Sequence, residues 1–141
     1  MKDLARRQSG FTLVEVLIVV AILGIIAAFA FNTFTRQADE SRRSDGATLL
    51  MDASQQLERC YTRFYDYDAA ECNALPDESP SGHYRLDVQR DQTTYRLRAI
   101  PQGAQADRDV ERCAFLELDH TGRRYAEDGD GNDVTDDCWR T

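Results

Sequence analysis

Hydrophobic and polar positions fall into two blocks that meet near residue 34. Residues 11–31 are almost all Val, Ile, Leu, Ala and Phe and carry a single charge, Glu15. At ~1.5 Å per residue this run makes a helix ~31 Å long, enough for a hydrocarbon core of ~30 Å. Residues 35–65 continue as helix with a different pattern. Leu50, Ala53, Leu57, Tyr61 and Phe64 recur at steps of three and four, a stripe able to cover a sheet while the other half stays polar. Gly46 interrupts the pattern at a tolerable cost of ~1 kcal/mol. No linker separates the two runs, so one long helical rod is expected, half buried in a domain.

Residues 66–82 turn irregular, with Pro76, Ser79, Pro80, Ser81 and Gly82 as turn formers. Three alternating patterns follow: Tyr84, Leu86 and Val88, then Tyr95, Leu97 and Ala99, then Ala114, Leu116 and Leu118. A turn at Asp119-His120-Thr121-Gly122 leads to a fourth strand over residues 123–126. A helix followed by an antiparallel meander is an α+β plan. The expected organisation is a leader over 1–10, an apolar membrane or filament-core helix over 11–34, and a globular domain over 35–141.

The N-terminus departs from an ordinary secretory signal, which runs basic, apolar, then small residues at the cut. Here Lys2, Arg6 and Arg7 precede Gly10, the apolar run starts at Phe11, and nothing like Ala-x-Ala closes it. An uncleaved anchor with its basic end in the cytoplasm is one reading. The string Gly10-Phe11-Thr12-Leu13-Val14-Glu15 points to another. A charge in such a run costs ~2.5–3.5 kcal/mol at mid-membrane, less near an interface. A cut after Gly10 would create an amine on Phe11, the partner such a carboxylate requires.

This motif, with its basic leader and the following apolar run, resembles the type IV pilins and related pseudopilins. The resemblance implies that a prepilin peptidase cuts after Gly10 and methylates the Phe11 amine. It also implies that Glu15 pairs with that amine during assembly. Many relatives carry a Pro roughly where this chain has Asn32, which neither locks φ nor removes an amide donor. In the globular half, residues 99–105, Cys113 with residues 116–122, and Cys138-Trp139 are similar to PilE-type minor pilins of Gram-negative bacteria. The implied role is a low-abundance pilus subunit in an initiation or tip complex, serving adhesion and twitching motility. Its partners would be other major and minor pilins, the inner-membrane assembly platform and a tip adhesin. The implied location is the inner membrane before assembly and the extracellular pilus afterwards. A major fibre subunit, a type II secretion pseudopilin and a DNA-uptake pilin are the alternatives.

Four cysteines, Cys60, Cys72, Cys113 and Cys138, lie beyond the apolar run, and an even count in an exported domain suggests two disulfides with three possible connectivities. The resemblance implies Cys113–Cys138 closing a C-terminal loop, which leaves Cys60–Cys72 to tie the helix to the loop after it. Each bridge would contribute ~3 kcal/mol.

Charge then limits the function classes. The net charge is −8, and removing residues 1–10 makes it −10, so general binding of nucleic acid is disfavoured. Arg123-Arg124 could form a small basic patch that a DNA-uptake reading would use. His83 and His120 have no Ser or Cys nucleophile motif nearby, and no Gly-rich phosphate loop is present, so an enzyme is not expected. No cofactor is implied beyond a weak calcium candidate. Asp128, Asp130, Asn132, Val134 and Asp136 follow the start of a calcium-loop spacing, but Asp133 stands where that loop needs Gly and Trp139 where it needs Glu.

Overall fold

Both helical patterns fall in a single element, α1, spanning Leu13–Phe64. The computed structural model describes residues 11–140, and for 31–36 the backbone alone. Thr12 starts the helix: its Oγ1 accepts the Glu15 amide at 3.2 Å and its carbonyl accepts the Val16 amide at 3.2 Å. A hydroxyl that satisfies a free first-turn amide is an N-cap. The chain forms two units, Met1–Arg36 and Gln37–Thr141. In the first, Leu13–Ala30 has a mean hydropathy of 2.9 and none of its residues is buried.

In the second unit, α1 is followed by a short 3-10 helix, Ala70–Asn73, and then by β1 (Tyr84–Arg90) and β2 (Tyr95–Pro101). After these come α2 (Ala104–Asp109), β3 (Phe115–Asp119), β4 (Arg124–Glu127) and α3 (Thr135–Cys138). The strands form one antiparallel sheet in the order β1-β2-β3-β4. Its register pairs Leu86 with Ala99, Leu97 with Leu118, and Leu116 with Ala126. With a side-chain period of two, those residues share one face, and they bury it together with Leu49, Leu50, Ala53 and Leu57 of α1. Each fully buried leucine contributes ~1.5–3 kcal/mol relative to exposure.

Gly46 has a packing reason. A Cβ there would lie 3.0 Å from the Tyr84 ring, which is itself buried. The glycine lets β1 bring a tyrosine flat against the helix backbone. The loop ahead of β1 is anchored beside it. Ser79 donates its hydroxyl to Asp45 at 2.5 Å and accepts the amides of His83 and Tyr84 at 3.0 Å.

Two disulfides tie the unit: Cys60–Cys72, with Cα atoms 5.7 Å apart, and Cys113–Cys138, at 6.1 Å. The second closes the segment that carries β3, β4 and the acidic turn.

The core stripe differs from expectation at its end. Phe64 is 44% exposed and Tyr61 half-buried, while Leu49, outside the predicted stripe, is buried. The Cys60–Cys72 bridge folds the following loop back against the helix, and Tyr67 stacks on Tyr61 at a centroid distance of 4.3 Å. Tyr67, outside the expected stripe, is buried. Two short helices, α2 and α3, also stand where the residue pattern predicts none. Gly103, at φ +55°, turns the chain out of β2 into α2.

Candidate functional site

Of the residues expected to act in assembly, Gly10 lies outside the described residues. Phe11 precedes α1 and is exposed, and Glu15 occupies its first turn, also exposed. Thr12 and Glu15 sit at the spacing of a capping box, so Glu15 stands where a helix N-terminus favours an anion. The spacing was legible in the sequence, and capping adds to the part expected of Glu15.

Within the acidic turn, side chains and backbone are cross-linked by hydrogen bonds. Asp128 accepts the backbone amides of Asp130 and Asn132 at 3.0 and 2.8 Å, and the Asn132 side-chain amide at 2.8 Å. These bonds, led by that of the Asn132 side chain, hold the Asp128 carboxyl below its ordinary range. Val134 accepts the α3 amides of Asp137 and Cys138 with its carbonyl, at 3.1 and 3.0 Å. Asp133 is taken up by Thr135, whose amide and hydroxyl approach at 3.0 and 2.7 Å. Among the described residues, no three His, Cys, Asp or Glu groups converge to hold a metal ion.

A different cluster forms at one end of the sheet. β1 ends at Arg90, β2 starts at Tyr95, β3 ends at Asp119 and β4 starts at Arg124, and an antiparallel meander brings these four ends together. Arg90, Arg96, His120, Arg123 and Arg124 therefore share this end. A groove of about 360 Å³ opens between Arg90, Arg96, Asp119 and His120. The carboxylates here cap turns. Asp91 accepts the Thr94 hydroxyl at 2.7 Å and the Thr93 and Thr94 amides at 2.8 Å, which lower its pKa to about 2. Asp119 accepts the Thr121 hydroxyl and amide and the Arg123 amide, and these outweigh burial to keep its pKa low.

Some of the arginines are paired and some are not. Arg90 meets Asp68 at 3.3 Å, and Arg96 and Arg98 hold Glu117 at 3.2 and 2.6 Å. Arg124 lies over the Trp139 ring, 5.0 Å from its centroid, which orients it without neutralising it. Among the described residues, Arg59, Arg63, Arg85, Arg112, Arg123 and Arg124 have no carboxylate partner, although acids far outnumber bases. After Lys2 every Lys or Arg position is Arg. The guanidinium offers a planar fork that matches phosphate, so its exclusive use suits an anion-recognising surface.

A second polar cluster is structural. Arg43 donates to Asp109 through Nε at 2.8 Å and Nη2 at 2.5 Å, and both residues are buried. Gln105, one turn before Asp109, donates to it at 3.1 Å. The hydrogen bond to Asp109 raises the Arg43 pKa against the opposing effect of burial. Arg43, seven residues before Leu50, falls on the same face of α1 as the apolar stripe, but the helix pattern gives it no partner. The one local hint was Gln105 and Asp109 at i, i+4.

Comparison with known proteins decides the family. Residues 32–117 match the family model described as type IV minor pilin ComP, DNA uptake sequence receptor, and residues 5–31 match the prokaryotic N-terminal methylation motif. The chain belongs to the type IV pilin family. A type IV major fimbrial protein, FimA of Dichelobacter nodosus, is 48% identical over 42 residues, which are 30% of this chain and 26% of that relative. The match thus spans about a quarter of the relative's length. The non-core minor pilin PilV of Neisseria meningitidis has the same fold, with a TM-score of 0.57 at 18% identity over 68% of this chain and 93% of that one. A type IV pilin from Shewanella oneidensis gives a TM-score of 0.46 at 30% identity, covering 61% of this chain and 89% of the other. As a pilin the chain is a structural subunit and not an enzyme. It resides in the inner membrane through its apolar helix and then in the extracellular filament.

Proposed function

We propose that this pilin is a minor subunit that enters the type IV pilus through its apolar helix and carries a DNA-binding surface at the arginine end of its sheet. The observation that carries this reading is the match of residues 32–117 to the ComP minor-pilin model, which covers most of the globular unit. The net charge of −10 without the leader argues against indiscriminate nucleic-acid binding. It leaves room for local recognition, because screening beyond ~8 Å at physiological salt makes the nearest charges decide. Arg123 and Arg124 are the cations at this end available for phosphates.

Replacing both Arg123 and Arg124 by Glu is expected to weaken duplex DNA binding by at least tenfold. It should also reduce the salt slope by about 2, one for each phosphate no longer engaged. Fluorescence anisotropy with a labelled duplex and the processed chain in detergent measures this. Absence of duplex binding by the wild-type chain at low salt would withdraw the DNA part of the reading. The subunit would then act in filament initiation or at the tip, through other pilins and the assembly platform. Abundance relative to the main subunit in purified pili separates either minor role from a major one.

For assembly, we propose cleavage after Gly10 by a prepilin peptidase, methylation of the Phe11 amine, and pairing of Glu15 with that amine. Glu15→Val makes the segment more apolar, so processing and insertion should proceed, while entry into pili should fall severely. Immunoblots of membranes and sheared pili read the two steps separately. Wild-type entry by the variant would leave Glu15 as a helix-capping residue alone.

A further inference from the structure

The last turns of α1 line a groove whose two walls differ in character. Gln56, Arg59, Cys60, Arg63 and Phe64 recur at steps of three and four, so they share one face of the helix and form one wall. Glu71, Cys72, Ala74 and Leu75 form the other, and the Cys60–Cys72 bridge joins the two. A covalent tie between the walls fixes the groove before anything enters it, which lowers the ordering cost of binding. Its volume is about 380 Å³, at the small end of the ~300–1,000 Å³ of ligand sites. It takes a short segment and not a folded surface.

The helix wall is cationic. Arg59 and Arg63 are exposed and stand one helical turn apart, ~6 Å along the axis. Neither has a carboxylate partner among the described residues, and Glu71 in the facing wall pairs with neither. Arg59 is steadied by its bond to Gln55 at 3.2 Å. Ala74 and Leu75 make the facing wall apolar, and the half-exposed Phe64 lies in the helix wall.

In an extended peptide the side chains alternate between two sides, and those two residues apart lie ~6.7 Å apart on one side. That spacing matches the two guanidinium groups, each of which can take a carboxylate through two parallel bonds. The residue between them then points to the apolar wall. A nucleic-acid strand also carries spaced anions, but it continues past the groove over a surface in which acids far outnumber bases. A short acidic segment ends within the groove.

We infer that this groove holds an extended acidic segment of a partner protein. Carboxylates at alternate positions meet Arg59 and Arg63, and the apolar residue between them meets Ala74 and Leu75. No residue of the arginine end of the sheet lines this groove, so the duplex reading stands or falls apart from it.

The test uses the full processed chain in an uncharged detergent and fluorescence anisotropy with a labelled octapeptide in which Asp and Leu alternate. A peptide of the same composition with every Asp before every Leu is expected to bind about fivefold more weakly, since it sets carboxylates against Leu75 and Glu71. Arg59→Glu with Arg63→Glu should weaken binding of the alternating peptide by about tenfold or more. Arg85→Glu with Arg112→Glu changes the net charge equally but outside the groove, and should stay within about threefold of wild type. Glu71→Gln removes the competing carboxylate and should tighten binding about twofold, a gain that misfolding cannot produce. No binding by the wild-type chain at low salt, equal binding of the two peptides, equal losses in the two reversed pairs, or weaker binding by Glu71→Gln would overturn the inference. Displacement of the peptide by oligothymidylate as readily as by unlabelled peptide would overturn it too, and would make the groove a nucleic-acid site.

Discussion

Asp109→Ala is expected to destabilise the globular unit by about 3–5 kcal/mol, because it leaves the Arg43 guanidinium buried without its carboxylate. For a unit of this size that is a fall in melting temperature of roughly 15–25 °C. The magnitude comes from the asymmetry of buried pairs. Both ions lost their hydration when the protein folded, and their mutual bonds roughly offset that cost. Removing one ion leaves the other's cost uncompensated. Gln105 would also lose the acceptor it reaches at 3.1 Å. Replacing both ions, Arg43→Met with Asp109→Leu, should therefore cost much less than Asp109→Ala alone. Thermal melts of the processed chain in detergent, followed by circular dichroism, compare the two variants. Equal losses would show that Asp109 acts through packing and not through the ion pair.

Cys113→Ala with Cys138→Ala is expected to cost about 3–4 kcal/mol. The bridge joins residues 25 apart in sequence, and both cysteines are buried. It links the start of β3 to α3, so its loss frees the unfolded chain over the two last strands and the acidic turn. The Cys60–Cys72 bridge closes a separation of 12, and removing it should cost less on loop length alone. Melting under non-reducing conditions ranks the two. If the shorter bridge proved the more stabilising, strain or residual unfolded-state structure would outweigh loop entropy here.

The polar groups that these variants probe were poorly visible in the sequence, and the apolar ones were well visible. The helical stripe through Leu50, Ala53 and Leu57 and the alternation in β1, β2 and β3 were legible. They repeat with the period of the element that carries them, so a short window contains the whole signal. The fourth strand was placed within one residue by its turn, where Asp119 caps Thr121. The N-terminal motif was legible for a different reason: it is a run of consecutive residues, and residues 5–31 match the N-terminal methylation motif without any help from the fold.

Periodicity misjudged what depends on neighbours. Phe64 fits the helical stripe, yet it is half-exposed, while Tyr67 in the loop tied back at Cys72 is buried against Tyr61. Gly46 reads as a flaw in a helix until Tyr84 is laid against it. In the acidic run, the order of residues did not show that Asp128 and Asp133 accept backbone amides of their own turn.

The sequence by itself determined an apolar helix for membrane and filament, an amphipathic continuation, an antiparallel meander and the pilin processing motif, all of them local patterns. Only the tertiary structure decided which charges are buried, which are left without partners and which share a surface. Arg43 and Asp109 meet across 66 residues. Arg90, Arg96, Arg123 and Arg124 come together because the β1–β2 and β3–β4 turns lie at the same end of the sheet. A charge in a sequence has no fixed energy until the fold sets its solvent exposure and its partner.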